Sequence, residues 1–395
     1  MHKGYPKKVI VLSLLSFVVI ALALPTPSLA SDPFETSCAK VGSQKLENRD
    51  LYTCLKIGTV QKWKFTDDGT ASFMPFQISG PTWNEIAEQR EAEIKAAELL
   101  RIQREAEAKA AKAAAEIPKI AGLTIGKLLW SDDFIGSKGS SINSKNWSAR
   151  NCHRTPGSFG GGACFDAEVV YYAPSAIALD GSADGAAVIS TNRITGALPA
   201  DAGMCLSGSC FFTSGRFDTH GKVAFQYGFI EARIKMPAGS GNHPAFWMLG
   251  DNINQVGWPL SGEMDITEIR GNDPRTATSA THFSTIYSAN TCCTNHRYLV
   301  NELDVGADVT VDFHTYAVAW LPNSISYYVD GKLISTTTPA QVGGHWSFND
   351  KFFLIVNNAV NASFSGSWQN LFSSQMTIDW VRSYQLNGVG EVFTK

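Results

Sequence analysis

The sequence predicts an all-β sandwich for residues 121–395, the larger part of this 395-residue chain. From Ala121 onward, short runs of β-branched and aromatic residues are separated by Gly, Asn, Asp and Ser, which is the pattern of short strands joined by turns. This region has no strand–helix alternation, no phosphate-binding glycine loop and no cysteine or histidine cluster with metal-ligand spacing. These absences argue against a nucleotide-binding α/β fold and against a zinc module.

Residues 1–30 have the pattern of a secretory signal peptide. Lys3, Lys7 and Lys8 precede an apolar run of sixteen residues from Val9 to Leu24, and small residues follow at 28–30. The run is shorter than the roughly twenty residues that span a bilayer, although an uncleaved membrane anchor stays open as an alternative. We expect a secreted chain with no membrane attachment after cleavage, in which the eight cysteines form disulfides.

Two segments precede the sandwich. Residues 31–80 are expected to form a small module with a Cys38–Cys54 bridge, whose role in wall attachment, ligand binding or spacing stays open. Residues 81–120 are rich in Ala, Glu, Lys and Arg and predict a long, mostly exposed helix. Its apolar residues are too sparse for sustained heptads, so a semi-rigid spacer is favoured over a coiled-coil dimerisation element.

The charge balance gives no indication of a polyanionic partner. Charged residues make up 17% of the chain and the formal net charge is −3, which gives no indication of nucleic-acid binding. Aromatic residues make up 11% and include ten tryptophans, which fit a carbohydrate-binding cleft and an ordinary sandwich core equally well.

The stretch from Trp258 to Gly271 carries three carboxylates within six residues, Glu263, Asp265 and Glu268. Side chains alternate along a strand, so Glu268 joins the other two only if a bulge near 266–267 resets the alternation. The two glutamates are then four positions apart, roughly 13 Å between Cα atoms, and their side chains close most of that gap. A carboxyl separation of about 5–5.5 Å suits a retaining glycosidase. An exposed acidic strand or a cation site is the alternative interpretation.

This stretch resembles the signature of glycoside hydrolase family 16 in its longer E-x-D-x-x-E form, found in laminarinase-type members. Three further segments resemble family strands in the right order: Tyr227–Gly250, Phe313–Gly331 and Met376–Gln385. The resemblance covers roughly residues 128–386 and implies a β-jelly-roll, concanavalin A-like sandwich as the catalytic domain.

The resemblance also implies roles for individual residues. Glu263 corresponds to the nucleophile, Glu268 to the general acid/base and Asp265 to an assisting residue. Four residues correspond to substrate-binding positions: Trp258, Trp247, His282 and Arg216. For three of these an alternative stays open, namely core packing for Trp247, a structural histidine for His282 and a surface ion pair for Arg216.

No cofactor is implied for catalysis. Asp133 and Asp379 resemble a structural calcium site of some members, which two acidic residues support only weakly. The simplest disulfide pairs are Cys152–Cys164 and Cys205–Cys210, and at least one of the adjacent Cys292 and Cys293 is expected to reach a loop cysteine.

Two positions depart from the family pattern. His243 stands where many members have Trp, and residues 358–362 differ from the usual Leu-Ala-Val-Gly-Gly. Because such positions shape sugar subsites, they weaken the assignment of the substrate more than that of the mechanism.

The prediction is a secreted, monomeric, retaining endo-glycosidase acting on β-1,3-glucan or mixed β-1,3-1,4-glucan, with some association with cell walls. A galactan hydrolase (agarase- or carrageenase-like), a glucan transglycosylase and a catalytically silent β-glucan recognition protein are the alternatives.

Overall fold

The computed structural model describes residues 44–47, 50–57, 60–65, 83–115, 117–152, 168–205, 208–287 and 295–395. The chain divides into two compact units, Met1–Trp83 and Asn84–Lys395. The predicted signal peptide lies outside the described residues, so it stays a prediction. The same holds for four of the cysteines in the predicted bridges: Cys38, Cys164, Cys292 and Cys293.

The first unit contains a small antiparallel sheet within the predicted module. Its strands follow the order β1 (Gln44–Glu47), β2 (Asp50–Ile57) and β3 (Val60–Phe65). Each strand pairs with the next along the chain, so the described part of the module is a three-stranded meander.

The predicted helix is confirmed as α1 (Trp83–Ala115). Its apolar side chains remain in solvent, with Ile94 71% and Leu99 59% exposed. Arg101 forms ion pairs with Glu98 and Glu105, one turn away on either side, which is how a polar helix is stabilised along its own surface. In the part of the chain that the structure describes, no helix has the length and apolar character needed to span a membrane.

The second unit is a two-sheet sandwich, as predicted. Sheet I consists of nine strands among the described residues: β5 (Ser148–Ala149), β10 (Arg216–Asp218), β11 (Val223–Gln226), β13 (Asn242–Gly250), β14 (Glu263–Arg270), β15 (Asp273–Ser284), β16 (His296–Asp304), β20 (Phe352–Val360) and β22 (Glu391–Thr394). Seven of them follow the order β16-β15-β14-β13-β20-β10-β5, and β11 pairs with β20 and β22.

Sheet II consists of ten strands among the described residues: β4 (Ile125–Asp132), β6 (Val170–Tyr172), β7 (Ile177–Leu179), β8 (Ala187–Arg193), β9 (Phe212–Ser214), β12 (Gly228–Lys235), β17 (His314–Leu321), β18 (Ser324–Val329), β19 (Lys332–Thr337) and β21 (Ser373–Leu386). Eight follow the order β19-β18-β17-β12-β21-β8-β9-β6, while β4 pairs with β21 and β7 with β8. The short helices α2 (Ile253–Val256), α3 (Pro339–Val342) and α4 (Ala362–Ser365) lie in connections.

The main core lies between the two sheets because their strands alternate apolar side chains toward each other. On β13, Phe246 and Met248 join this core, together with Val318 of β17 and Ile378 of β21. The intervening residues of β13 form a separate apolar cluster on the opposite face, with Trp247 at its centre. Sheet I therefore has an outer face with its own apolar floor, and this face carries the candidate site.

One predicted disulfide is confirmed. Cys205 and Cys210 are bonded, with their Cα atoms 5.7 Å apart. Cys152 is also disulfide-bonded, while its predicted partner Cys164 lies outside the described residues, so that pairing stays a prediction.

Candidate active site

The predicted bulge in β14 is confirmed. Phe246 of β13 faces Thr267, while the next residue of β13, Trp247, faces Asp265, so Ile266 is the extra residue. The hydroxyl of Ser279, on the other neighbouring strand, donates a hydrogen bond of 2.8 Å to the carbonyl oxygen of Ile266. This contact satisfies a backbone group that the irregular ladder leaves without a partner.

The bulge divides the side chains of β14 between two environments. Met264, Ile266 and Ile269 enter the core between the sheets. Along β13, the residues facing Glu263 and Glu268 are Leu249 and Ala245, which are four positions apart, as predicted. All three carboxylates thus lie on the outer face of sheet I.

Glu263 is more deeply buried than Glu268. Only 6% of its surface is exposed, and the indole Nε1 of Trp258 donates a hydrogen bond of 2.6 Å to its Oε2. Burial raises its pKa well above the usual value, and the neighbouring Asp265 carboxylate raises it further. Trp258, predicted to bind substrate, therefore also fixes the carboxylate that is the candidate nucleophile.

Asp265 lies between the two glutamates and contacts a histidine pair. Its Oδ2 is 3.2 Å from Nε2 of His282, whose Nδ1 is 2.8 Å from Nε2 of His296. The pKa of Asp265 is raised well above its usual value by burial and by Glu268. The pKa of His296 is lowered to about 4 by burial and by His282. His282 thus contacts the carboxylates directly, and neutral His296 can hold its ring in place.

Glu268 has a different environment from the other two acids. Its Oε1 is 2.7 Å from Nε2 of His243, whose ring lies 4.3 Å from that of Phe364. Burial acts to raise the pKa of Glu268, but the hydrogen bond and charge of His243 outweigh it, and the pKa is lowered. Among the three neighbouring carboxylates, the pKa values of Glu263 and Asp265 are therefore raised and that of Glu268 is lowered.

Trp247 and Arg216 lie behind the carboxylates. Trp247 is 3% exposed and donates through Nε1 to Oδ1 of Asn357 at 2.7 Å, and the guanidinium of Arg216 lies 4.9 Å from its ring centroid. Arg216 is 0% exposed, so the surface ion pair considered for it is wrong. Its burial also places it out of direct reach of a sugar, and we assign it to the support of Trp247. For Trp247 the core-packing alternative agrees with its burial and with its place in the apolar cluster on the outer face of sheet I.

The calcium site expected at Asp133 and Asp379 stays a prediction. The Asp133 carboxylate accepts a hydrogen bond of 3.0 Å from Arg382, and it is the backbone carbonyl of Asp133 that faces the same cation as Asp379. That cation is the ammonium group of Lys109, 2.8 Å from Oδ1 of Asp379.

Sequence reasoning placed His243 at a position that shapes sugar subsites but not beside Glu268, and it missed His296. A signal for His243 was available, because it shares its strand face with Ala245 and Trp247 and so lies in the row that meets Glu268. No comparable signal exists for His296, since its position opposite Ser284 depends on the pairing of β15 with β16.

Comparison with known proteins agrees with this geometry. The model of glycosyl hydrolases family 16 matches residues 180–382, which are 203 of the 395 residues. Glucan endo-1,3-beta-glucosidase A1 of Niallia circulans is 28% identical over 281 residues, covering 68% of this chain and 39% of that protein. The beta-glucanase of Rhodothermus marinus is 33% identical over 190 residues, covering 44% and 63%. This chain thus spans less than two thirds of either relative.

A solved structure resembles the sandwich over almost its entire length. The endo-beta-1,3-glucanase of Pyrococcus furiosus has 32% sequence identity and a TM-score of 0.56, covering 69% of this chain and 98% of that one. The likeness confirms the predicted jelly-roll fold class. On the family match and on this likeness, the chain belongs to the glycosyl hydrolases of family 16.

Proposed function

We propose that this chain is a retaining endo-glycosidase that hydrolyses β-1,3-glucan or mixed β-1,3-1,4-glucan by double displacement. The observation that carries the proposal is the bulge at Ile266, which brings Glu263, Asp265 and Glu268 to one face of sheet I. If these carboxylates were only solvated surface groups, the strand would not require a bulge that buries them together.

In the first step, a carboxylate oxygen of Glu263 attacks the anomeric carbon and the glycosidic C–O bond breaks. Glu268 gives its proton to the departing oxygen, which leaves as a sugar hydroxyl. In the second step, Glu268 removes a proton from water, the water oxygen displaces Glu263, and the original anomeric configuration returns. A sugar hydroxyl in place of water gives transglycosylation by the same route.

The surrounding groups supply the charge states that these steps require. The pKa values of Glu263 and Asp265 are both raised, so the pair can share a proton, and Glu263 attacks when that proton lies on Asp265. His243 Nε2 and Glu268 Oε1 are 2.7 Å apart, so a proton shared between them is available for the leaving group. Entry of the glycosidic oxygen beside Glu268 would draw this proton onto the carboxyl group. Carboxylate chemistry of this kind requires no cofactor.

The activities of the relatives support a β-glucan substrate, because the proteins of Niallia circulans and Pyrococcus furiosus cut β-1,3-glucan and that of Rhodothermus marinus is a beta-glucanase. We further propose that the chain is secreted, on the strength of the sequence pattern at residues 1–30. We propose that it acts as a monomer, because the apolar residues of 81–120 are too sparse for the heptads of a coiled coil. Association of residues 31–80 with cell-wall material belongs to the same proposal.

The test is the release of reducing sugar from laminarin, lichenan, agarose and carrageenan, with Glu263→Gln as the control. Release from laminarin or lichenan that the control abolishes is the expected result. Release from a galactan alone would overturn the substrate and keep the mechanism. Binding of laminarin with no release from any polymer would instead favour a recognition protein.

A further inference from the structure

Three side chains on the outer face of sheet I have the composition of a metal-ligand set. One ligand atom each from Glu263, Asp265 and His282 lies within 4.8 Å of the other two. The two acids belong to β14, and His282 belongs to the neighbouring β15, where it pairs directly with Glu263. Residues that face each other on antiparallel strands share one face of the sheet, so the register places the imidazole beside both carboxylates. We call these three residues the carboxylate–histidine cluster.

The carboxylates of this cluster are buried without a permanent cation. Glu263 and Asp265 are 6% and 4% exposed, and neither forms an ion pair with a lysine or arginine of the described residues. Oδ2 of Asp265 lies 3.2 Å from Nε2 of His282, yet it has no hydrogen-bond partner in the described part of the chain. A buried carboxylate oxygen without a hydrogen bond is costly unless a proton or a cation reaches it.

His296 is placed to orient His282 as a ligand. Its Nε2 lies 2.8 Å from Nδ1 of His282, and the two stacked rings have centroids 5.0 Å apart. A hydrogen bond between two imidazole nitrogens needs one donor and one acceptor. When Nδ1 of His282 donates, Nε2 of the same ring keeps a lone pair that faces Oδ2 of Asp265. Metal-bound histidines usually donate their other N–H in this way, which fixes the tautomer and the orientation of the ring.

The donor atoms select the kind of cation. Zn²⁺ binds imidazole nitrogen and carboxylate oxygen at about 2.0–2.2 Å, often with three protein ligands and a water in the fourth position. Ca²⁺ and Mg²⁺ prefer shells made of oxygen alone, so a histidine ligand disfavours them. Ligand atoms of a tetrahedral zinc site are about 3.4 Å apart at these bond lengths. Small rotations of the two carboxyl groups would therefore bring the cluster to zinc geometry.

We propose that Glu263, Asp265 and His282 form a reversible inhibitory site for Zn²⁺, which His296 prepares by orienting His282. The bound ion holds the carboxylate of Glu263, so this group cannot attack an anomeric carbon, and zinc and glucan exclude each other. The inhibition rests on the proposed function, whereas the binding of the ion does not. A cation site was the alternative interpretation of this acidic stretch, and it is compatible with hydrolysis because ion and substrate alternate at the cluster.

Titration calorimetry of the full-length chain with ZnCl₂, in a buffer that does not bind zinc, tests the site without any measurement of activity. We expect the unmodified chain to bind one Zn²⁺ ion, and His282→Gln to bind it at least about tenfold more weakly. His296→Phe keeps an aromatic ring but removes the acceptor for His282, so it should weaken zinc binding by about 10- to 100-fold.

His314→Gln is the matched control for the calorimetry. His314 is paired with one carboxylate, that of Asp330, at 2.7 Å on sheet II, so the substitution removes a histidine–carboxylate pair outside the cluster. Its zinc affinity should equal that of the unmodified chain. Unchanged circular dichroism spectra would show that His282→Gln and His296→Phe are folded.

Kinetics with laminarin give the second test. Zn²⁺ should raise KM and leave kcat unchanged, because zinc and glucan compete for the free enzyme. A lower kcat with an unchanged KM would place the ion elsewhere and overturn the proposal. Equal zinc affinity in the unmodified chain and His282→Gln, or no zinc binding by the unmodified chain, would overturn it as well. If the chain binds zinc as expected but hydrolyses no glucan, the zinc site stands and the proposed function fails.

Discussion

Two bulges on opposite faces of the sandwich each present a carboxylate to the outside. In sheet I the extra residue is Ile266, which shifts Glu268 to the outer face. In sheet II the register of β21 against β12 shifts between Ile378 and Trp380, and the residue between them is Asp379. A β-bulge thus places a carboxylate on the outer face of each sheet, although the surroundings of Glu268 and Asp379 differ.

The partners of the two sets of acids differ. Asp379 forms ion pairs with Lys109 and Arg233, and Asp133 forms one with Arg382. In sheet I, by contrast, no lysine or arginine in the described part of the chain forms an ion pair with the three carboxylates. Their hydrogen-bond and close charge partners are the side chains of Trp258, His282 and His243.

This difference separates acids that fix structure from acids that are free to react. A carboxylate paired with a guanidinium stays ionised and is held in place. Carboxylates buried together without such a partner shift their pKa values, and protons can then move among them at accessible pH. The following predictions test whether this contrast governs activity.

The largest expected effect is the loss of either glutamate of sheet I. Glu263→Ala should lower the rate of glucan hydrolysis on the order of 10⁴-fold or more, because no nucleophile remains. Glu268→Ala should lower it by about 10²- to 10⁴-fold, because the leaving group is no longer protonated. Glu231→Gln, which removes a buried carboxyl group of sheet II, is the matched control and should keep full activity.

Added azide and an aryl β-laminaribioside distinguish the two roles. In Glu263→Ala, azide replaces the nucleophile in a single displacement and gives the α-glycosyl azide. In Glu268→Ala, the glycosyl-enzyme still forms from the activated substrate and azide opens it to the β-product. The same anomer from both variants would contradict the assignment of roles.

The next effect is expected from Asp265→Asn. This variant should retain activity that is lower by about 10- to 100-fold, because Asn keeps the shape but not the charge or the shared proton. Glu263 must be ionised and Glu268 protonated for attack. Burial and Asp265 raise the pKa of Glu263 above that of Glu268, so the higher pKa, that of Glu263, sets the basic limb of the pH–rate profile. Removing the charge of Asp265 should move this basic limb to lower pH. A limb that stays in place would show that burial alone sets it.

A smaller effect is expected from His243→Gln, which keeps a hydrogen-bond donor near Glu268 without the charge. Glu268 must carry a proton in the first step, and because its pKa lies below that of Glu263 it sets the acidic limb of the pH–rate profile. Loss of His243 should raise the pKa of Glu268 and move the acidic limb to higher pH, with a change in rate at neutral pH of less than about tenfold.

His314→Gln is the control for that measurement. His314 Nδ1 lies 2.7 Å from Oδ2 of Asp330, so the substitution removes a histidine–carboxylate pair of the same length on sheet II. We expect it to leave the pH–rate profile unchanged. An acidic limb that moves equally in both variants, or moves to lower pH in His243→Gln, would refute the role given to His243.

Glu231→Gln is expected to leave activity unchanged and to alter the stability of the fold. Burial, opposed by a hydrogen bond to Thr315, raises the pKa of Glu231 to about 7 from 4.5. The folded state therefore binds this proton more tightly than the unfolded state, and stability falls as pH rises from about 4.5 through about 7. Urea unfolding at pH 8 should show Glu231→Gln more stable by up to about 3 kcal/mol, with little difference at pH 4. Equal destabilisation at both values would contradict the raised pKa.

The sequence by itself determined the local features of this protein. The alternation of apolar residues gave the strands of the sandwich, and the composition of residues 83–115 predicted α1. The spacing of Glu263, Asp265 and Glu268 predicted the bulge, because a strand can place acids at positions one, three and six on one face only with an extra residue between them. Each of these inferences depends on neighbours within a few residues.

Only the tertiary structure decided which distant residues meet. His296 reaches His282 through the pairing of β15 with β16, and Arg216 is buried behind Trp247 because β10 pairs with β20. Lys109 reaches the carboxylate of Asp379 from a helix far away in sequence, 270 residues before it. Strand register and helix docking are fixed by the summed packing of the whole sandwich, and no local pattern of residues specifies them.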